Sequence, residues 1–300
     1  MKILITGGAG FVGRNLVRVM KEQGFNPAEL TIIDKDEANL NFVKNLGAKT
    51  VLVNLATPGH WIDNFYGQDL IISLHAQISG PTYEPFKRNN IEATQNVVEA
   101  AKKFGVKKII HFSSAAVLSV RQDFYASSKK TGDDLIKASG LDYVILQPSL
   151  MYGPLDDKNV GWLIKFARRC PIFPIPGNGR YPRQPIYIDD ICRLVIKLIH
   201  NFPAGQVYSI NGQKIVYFNE IVSTVLKNLG GCRVAVHLPL PIFLFLLKIY
   251  DALFGSPFTP DQIKSLTSGD VFPEYPWWDE FDIKTTPFAE GVKIMLKKSS

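Results

Sequence analysis

Near the start of the 300-residue chain, Ile3-Leu-Ile5 runs directly into Thr6-Gly-Gly-Ala-Gly-Phe-Val-Gly13. An amphipathic pattern follows at once, with Phe11, Val12, Leu16, Val17 and Met20 at helical spacing. A glycine-rich turn between an apolar strand and a helix constrains the fold more than any other feature. The chain must turn sharply, bring bare backbone against a ligand and pack the helix closely on a sheet, and side chains obstruct all three. The opening of the helix also presents unpaired N–H groups, which suit a pyrophosphate. Gly7, Gly10, Phe11, Val12 and Gly13 are therefore read as a dinucleotide-phosphate turn.

A glycine pattern alone is weak evidence, and its surroundings make it specific. Asp34 ends the next apolar run, Leu30-Thr-Ile-Ile33, 21 residues beyond Gly13. Its carboxylate is suited to accept hydrogen bonds from both adenosine ribose hydroxyls, and it repels a 2′-phosphate. That favours NAD, while Lys35 beside it leaves NADP open.

Further apolar runs follow at Thr50–Val53, Leu70–Ile72, Ile109–Phe112, Tyr143–Leu146 and Val207–Ile210. Helical patterns at about 90–104, 125–138 and 189–199 alternate with them. Continuous apolar strands interleaved with helices predict a parallel sheet covered on both faces. The expected fold is α/β: a Rossmann doubly wound parallel sheet with a smaller C-terminal α/β substrate lobe. Residues 1–150 are expected to form the NAD-binding domain, with 185–212 returning to it, and 151–184 with 213–300 to form the substrate lobe. The Pro- and Gly-rich stretch 148–185 reads mainly as loop.

Composition narrows the function classes. Apolar residues make up 46% and charged residues 20%, which excludes a disordered chain. The net charge of +7 comes from scattered Lys and Arg rather than from a basic arm, so no nucleic-acid partner is expected. A solvated surface, or a basic cleft for an anionic diphosphate, accounts for the excess. Cys170, Cys192 and Cys232 share no metal-ligand spacing and form no disulfide framework, which points to a reducing compartment and no metal. A first strand at Lys2 leaves no room for a leader, so a cytoplasmic location is expected. The run 238–247 is intensely apolar yet too short to span a bilayer. A buried helix is the ordinary expectation for it, and a peripheral membrane contact the alternative.

Tyr125-Ala-Ser-Ser-Lys129 sets a phenol and an ammonium four residues apart, on one helix face. A phenol titrates near pH 10 unaided, and a neighbouring ammonium favours the phenolate needed for proton transfer. Ser113 and Ser114 follow Phe112 at the carboxyl end of a predicted parallel strand, where open α/β sheets bind ligands. Ser114 is then positioned to donate to a substrate oxygen as Tyr125 moves the proton. His75, beside an apolar strand, reads as a cofactor-wall or core residue rather than a catalytic one.

At this point the chain resembles the short-chain dehydrogenase/reductase superfamily, in its extended branch of NAD-dependent nucleotide-sugar epimerases and dehydratases. The resemblance rests on Thr6–Gly13, Asp34, Asn89-Asn90, Phe112-Ser-Ser114, Tyr125-x-x-x-Lys129 and Gln147-Pro-Ser-Leu-Met-Tyr-Gly-Pro154. Gly177–Asp190 is similar to that branch's glycine-arginine-aspartate segment. The resemblance implies that Gly7, Gly10 and Gly13 cradle the pyrophosphate and that Asp34 holds the ribose. It places Asn54 and Leu55 beside the adenine, Leu74, His75 and Ala76 along the cofactor, and Asn90 at the asparagine of the family's fourth helix. It implies Ser114, Tyr125 and Lys129 as the catalytic trio, with Pro148 and Ser149 near the nicotinamide. Arg183 matches an arginine that grips the nucleotide diphosphate, a task suited to a guanidinium's bidentate geometry. Family members often dimerise through helices like 90–104 and 125–138, so a homodimer is implied.

The chain also departs from the pattern. Tyr125 follows Ser114 by only 11 residues, so a loop that walls the family's substrate pocket is shortened. Where the sugar dehydratases carry an Asp-Glu pair, this chain has Ala115 and Ala116, which disfavours dehydration. Three readings stay open: a nucleotide-sugar epimerase or keto-reductase, an NAD(P)-dependent dehydrogenase of an apolar or lipid-linked alcohol, and a non-catalytic dinucleotide-binding subunit. Tyr-x-x-x-Lys weighs against the last.

Overall fold

A computed structural model describes residues 1–119, 123–254, 269 and 271–298. In chain order the first elements are β1 (Ile3–Thr6), α1 (Phe11–Glu22), β2 (Leu30–Asp34), α2 (Glu37–Asn45), β3 (Lys49–Leu52) and β4 (Leu70–Ser73). Next come α3 (Glu84–Phe86), α4 (Ala93–Phe104), β5 (Lys108–Phe112), α5 (Phe124–Lys137), β6 (Asp142–Pro148), β7 (Met151–Tyr152), α6 (Val160–Arg169) and β8 (Ile172–Pro176). They are followed by β9 (Pro182–Arg183), β10 (Ile186–Tyr187), α7 (Ile188–His200), β11 (Gln206–Ile210), β12 (Val216–Tyr217) and α8 (Phe218–Leu229). Then come β13 (Val234–Leu238), α9 (Leu240–Phe254), α10 (Trp277–Glu280) and α11 (Phe288–Lys298).

The chain divides into two units. Unit 1 comprises Met1–Pro148, Ile188–Ile210 and Glu274–Lys284; unit 2 comprises Ser149–Tyr187, Asn211–Pro273 and Thr285–Ser300.

Unit 1 is built on a seven-stranded sheet in the order β11-β6-β5-β4-β1-β2-β3, with every neighbouring pair parallel. β1, β4 and the apolar residues of β2 are buried, as strands covered on both faces must be, so the runs read as continuous rather than alternating. One core cluster joins Leu4, Ile33, Ile71, Ile109 and Ile145 to Val97 and Ala101 of α4 and Ile136 of α5. Each Leu, Ile or Val side chain among them contributes about 1.5–3 kcal/mol through burial. The sheet is doubly wound: β2 and β3 extend it to one side of β1, and β4 onward extend it to the other. The strand order therefore reverses between β1 and β4, and at that point the carboxyl ends of parallel strands form a crevice for ligands.

Three expectations need correction. The stretch 148–185 is not mainly loop, because it holds α6 and β8. Val160, Leu163, Ile164 and Ala167 of α6 are buried at helical spacing, and the Asp156 carboxylate accepts the backbone N–H groups of Lys158, Asn159 and Gly161 at the helix start. Second, Glu274–Lys284, assigned to the substrate lobe, packs within unit 1. Trp277 is fully buried there, Tyr275 and Phe281 lie 5.7 and 5.3 Å from the Tyr208 ring, and Lys197 pairs with Asp282. Aromatic burial outweighs sequence position.

The third correction concerns 238–247, for which a buried helix is the ordinary expectation. Leu238 ends β13, residues 240–247 form the first half of α9, and Ile242, Phe245 and Leu246 among them are exposed. Among the described residues, no helix is long and apolar enough to cross a membrane.

Candidate active site

The glycine-rich turn takes its shape from close contact. Gly7 has a φ of 66°, and a Cβ there would lie 2.4 Å from the His75 backbone, just past β4. A Cβ on Gly13 would lie 2.3 Å from the Gly8 carbonyl oxygen. Gly7 N–H donates to Ile33 O at 2.8 Å, and Ala9 N–H donates to Asp34 Oδ2 at 2.9 Å. The turn is thus tied to the end of β2 through the very carboxylate read as the ribose acceptor. α1 begins at Gly10 without a side-chain cap, so its first N–H groups stay available. A bare backbone cradle, an uncapped helix start and a carboxylate beside them fit a dinucleotide diphosphate and ribose.

The other residues read as cofactor-binding fall mostly around this turn. Phe11 and Val12 open α1 and are half-buried. Leu74, His75 and Ala76 follow β4, with Leu74 N–H donating to Thr6 O at 2.8 Å. Asn54 and Leu55 follow β3; the Asn54 side chain accepts Ala56 N–H, and Leu55 is buried with its carbonyl held by Asn96. Lys35 Nζ lies 3.3 Å from Asn89 Oδ1. Pro148 ends β6 and is buried, and Ser149 is the first residue of unit 2. Asn90 lies in a π-helical turn, Lys87–Glu92, ahead of α4. Its amide is fully engaged: Oδ1 accepts Gln77 N–H at 2.6 Å, while Nδ2 donates to Gln77 O and Ser128 Oγ. Asn90 therefore braces the segment after β4 against α5.

Ser114 lies two residues beyond β5 as the N-cap of a short 3-10 turn, and Tyr125 lies in the first turn of α5, behind the helix cap Asp123. The two side chains are hydrogen-bonded to each other. One turn on, the buried Lys129 donates from Nζ to Phe112 O at 2.6 Å. Burial pushes the Tyr125 phenol up and pulls the Lys129 ammonium down to about 8, with Asp133 opposing that fall. The trio is thus assembled in unit 1. Residues 120–122 lie outside the described residues, and with them part of the shortened stretch before Tyr125. Arg183 belongs to unit 2, half-buried on β9 opposite Val216 of β12, with Nη1 donating to Pro182 O.

Behind the trio lies a buried polar network that sequence reasoning missed. Asp133 Oδ2 accepts Ser113 Oγ at 2.8 Å and Gln147 Nε2 at 3.0 Å, and Oδ1 faces His111 Nε2 at 3.6 Å. Ser73 Oγ lies between the two histidine rings, 3.2 Å from His111 Nδ1 and 3.4 Å from His75 Nδ1. Thr94 donates to Asn90 O, so it accepts from His75 Nε2–H; His75 Nδ1 then accepts the Thr6 hydroxyl at 2.8 Å. His75 is a satisfied neutral core residue, and burial with Lys129 nearby holds its pKa at about 3. The available signal was a histidine inside an otherwise apolar strand and an acid four residues after Lys129.

Fold and site together define a dinucleotide-binding oxidoreductase of the extended short-chain dehydrogenase/reductase type. Residues 3–211 match the model of the NAD dependent epimerase/dehydratase family, and the chain belongs to that family. It is accordingly an NAD-dependent enzyme. The chain is 27% identical over 296 residues to a ceramide reductase of Caulobacter vibrioides, covering 97% of this chain and 88% of the relative. It is 27% identical over 280 residues to a dTDP-glucose 4,6-dehydratase of Streptomyces niveus, covering 80% and 81%. Among solved structures, a UDP-glucose 4-epimerase from Thermotoga maritima with UDP-glucose matches at a TM-score of 0.80 and 21% identity, covering 100% of this chain and 99% of that one.

Proposed function

We propose that this chain is a nucleotide-sugar epimerase or keto-reductase in which Tyr125 exchanges the substrate's hydroxyl proton. The observation that carries this reading is the Ser114–Tyr125 hydrogen bond with Lys129 one helical turn away. NAD, when bound, supplies the hydride acceptor and donor. Tyr125 takes the proton from a substrate alcohol or returns it to a ketone, and Ser114 donates to the same oxygen. Lys129, kept as ammonium, favours the phenolate. The glycine turn and Asp34 hold the diphosphate and ribose of the cofactor. Ala115 and Ala116 offer no acid–base pair for eliminating water, which argues against dehydration. Arg183 is the cation proposed to hold the substrate diphosphate. Family habit extends the proposal to a dimer built on α4 and α5, to be read by sedimentation equilibrium.

A second reading, a dehydrogenase or reductase of an apolar alcohol, is favoured by one observation: the exposed apolar side of α9. The similarity to a ceramide reductase supports it. A thermal-shift panel of UDP-, GDP- and dTDP-sugars with NAD and NADP, followed by turnover assays, separates the readings. A ligand at 100 times its dissociation constant raises stability by about 2.7 kcal/mol. Stabilisation by a nucleotide sugar, and hydride transfer abolished in Tyr125→Phe with NAD binding intact, is expected. Turnover of long-chain keto-lipids alone favours the second reading, and full activity in Tyr125→Phe would remove the catalytic assignment.

A further inference from the structure

α9 is apolar on two opposite sides. Phe243, Leu244, Leu247 and Tyr250 are half-buried, and Tyr250 meets the Phe166 ring of α6 at 6.5 Å. Ile242, Phe245, Leu246, Ile249 and Leu253 recur at i, i+3, i+4, i+7 and i+11, the stripe a helix normally turns toward a core. Here that stripe faces outward, with Phe245 64% and Leu253 68% exposed. The paired ribbon of β8 and β13 adds exposed Ile172, Val234 and Val236 in the same unit.

Charge says what covers the stripe. Unit 1 holds 20 Lys and Arg against 20 Asp and Glu, whereas unit 2 holds 14 against 7, so the whole net charge of +7 resides in unit 2. Lys165, Arg168 and Arg169 are exposed on α6, the helix α9 touches, and Lys248 is exposed on the flank of α9 itself. An apolar stripe beside cations suits a surface with an apolar interior and anionic headgroups. A second copy of this chain would bring like charge to like charge.

We propose that α9 is a monotopic membrane contact: its outer stripe enters the headgroup–acyl boundary of an anionic bilayer, and the α6 cations with Lys248 hold the phosphates. Fifteen residues at about 1.5 Å each make a helix of about 22 Å, which lies along the interface and cannot span it. This attachment does not depend on which substrate the redox site takes.

The test is flotation of the full chain with vesicles of phosphatidylcholine alone or of phosphatidylcholine with phosphatidylglycerol, at low and high salt. Binding is expected with phosphatidylglycerol and should weaken at high salt. Phe245→Glu with Ile249→Glu should abolish it while leaving NAD binding and the melting temperature unchanged. Lys165→Glu with Arg169→Glu should weaken it by about fivefold or more per cation removed. Failure to float with either vesicle overturns the proposal, as does flotation undiminished in the Phe245/Ile249 variant. So does a wild-type dimer that the same variant splits, since a second copy would then cover the stripe. None of these outcomes bears on hydride transfer, so this proposal and the redox reading fail separately.

Discussion

His111 Nε2 and Asp133 Oδ1 face each other at 3.6 Å inside unit 1, and neither has a hydrogen-bond partner among the described residues. Two bare acceptors in that position would repel, so one proton lies between them. With Asp133 ionised, the favourable arrangement has Ser73 donating to His111 Nδ1 and the ring carrying its proton on Nε2 toward the carboxylate. Asp133 then stands as an anion near Lys129.

The consequence is a displaced titration. Burial brings Lys129 down to about 8 and Asp133 pushes it back up. In Asp133→Asn the ammonium is lost at lower pH, so the alkaline limb of kcat/KM moves toward acid by on the order of one pH unit. Carbon NMR of the Lys129 ε-carbon reads the same shift without substrate. Asp133→Glu should restore part of it. A titration that does not move in Asp133→Asn would show that the carboxylate does not set the Lys129 charge.

The glycine turn makes a steric prediction. Gly13→Ala puts a methyl 2.3 Å from the Gly8 carbonyl oxygen, where only backbone can give way. NAD affinity measured by calorimetry should fall at least tenfold, and stability should drop by about 1–3 kcal/mol. The same change at Gly24, where a Cβ meets nothing within 4 Å, bears on no ligand and serves as the control, its strain being confined to a positive φ.

Acid should unfold the chain through its buried histidines. His75 is held at about 3 against an ordinary 6.5, and burial also lowers His111 well below its usual value. Below pH 6.5 the unfolded histidines bind protons that the folded ones refuse. Their stabilising effect is therefore complete above 6.5 and is lost as pH falls, by about 1.4 kcal/mol per pH unit for each ring. Asp133, raised by burial, offsets part of that slope at the acid end. Urea midpoints followed from neutral to mildly acid pH should show the fall, and His75→Gln should flatten it.

Trp277 tests whether Glu274–Lys284 belongs to unit 1. It is fully buried, so Trp277→Ala should cost about 3–5 kcal/mol by chemical denaturation. NAD affinity should stay within twofold. A loss below 1 kcal/mol would mean that the segment contributes little to that core.

Local pattern made much of unit 1 legible. A glycine turn after an apolar strand, an acid at the end of the next one and continuous apolar runs between helices are short-range requirements of a parallel sheet around a diphosphate site, and each is visible within a few residues. The placement of Ser114, Tyr125 and Lys129 was legible for the same reason: a strand end and one helical turn position them. α6 was also within reach, since its buried residues keep helical spacing, but surrounding prolines and glycines hid it.

What tertiary structure alone decided was which groups share an environment. His111 and Asp133 are 22 positions apart and look like unrelated polar residues until β5 and α5 pack side by side. Asn90 matched a cofactor residue in sequence, yet its amide is occupied by Gln77 and Ser128. Trp277 lies far along the chain from the sheet it helps to cover. The apolar run that begins α9 reads as core in any one-dimensional measure, because hydrophobicity is a property of the residue, whereas burial is a property of its neighbours; among the described residues, Ile242, Phe245, Leu246, Ile249 and Leu253 stay exposed.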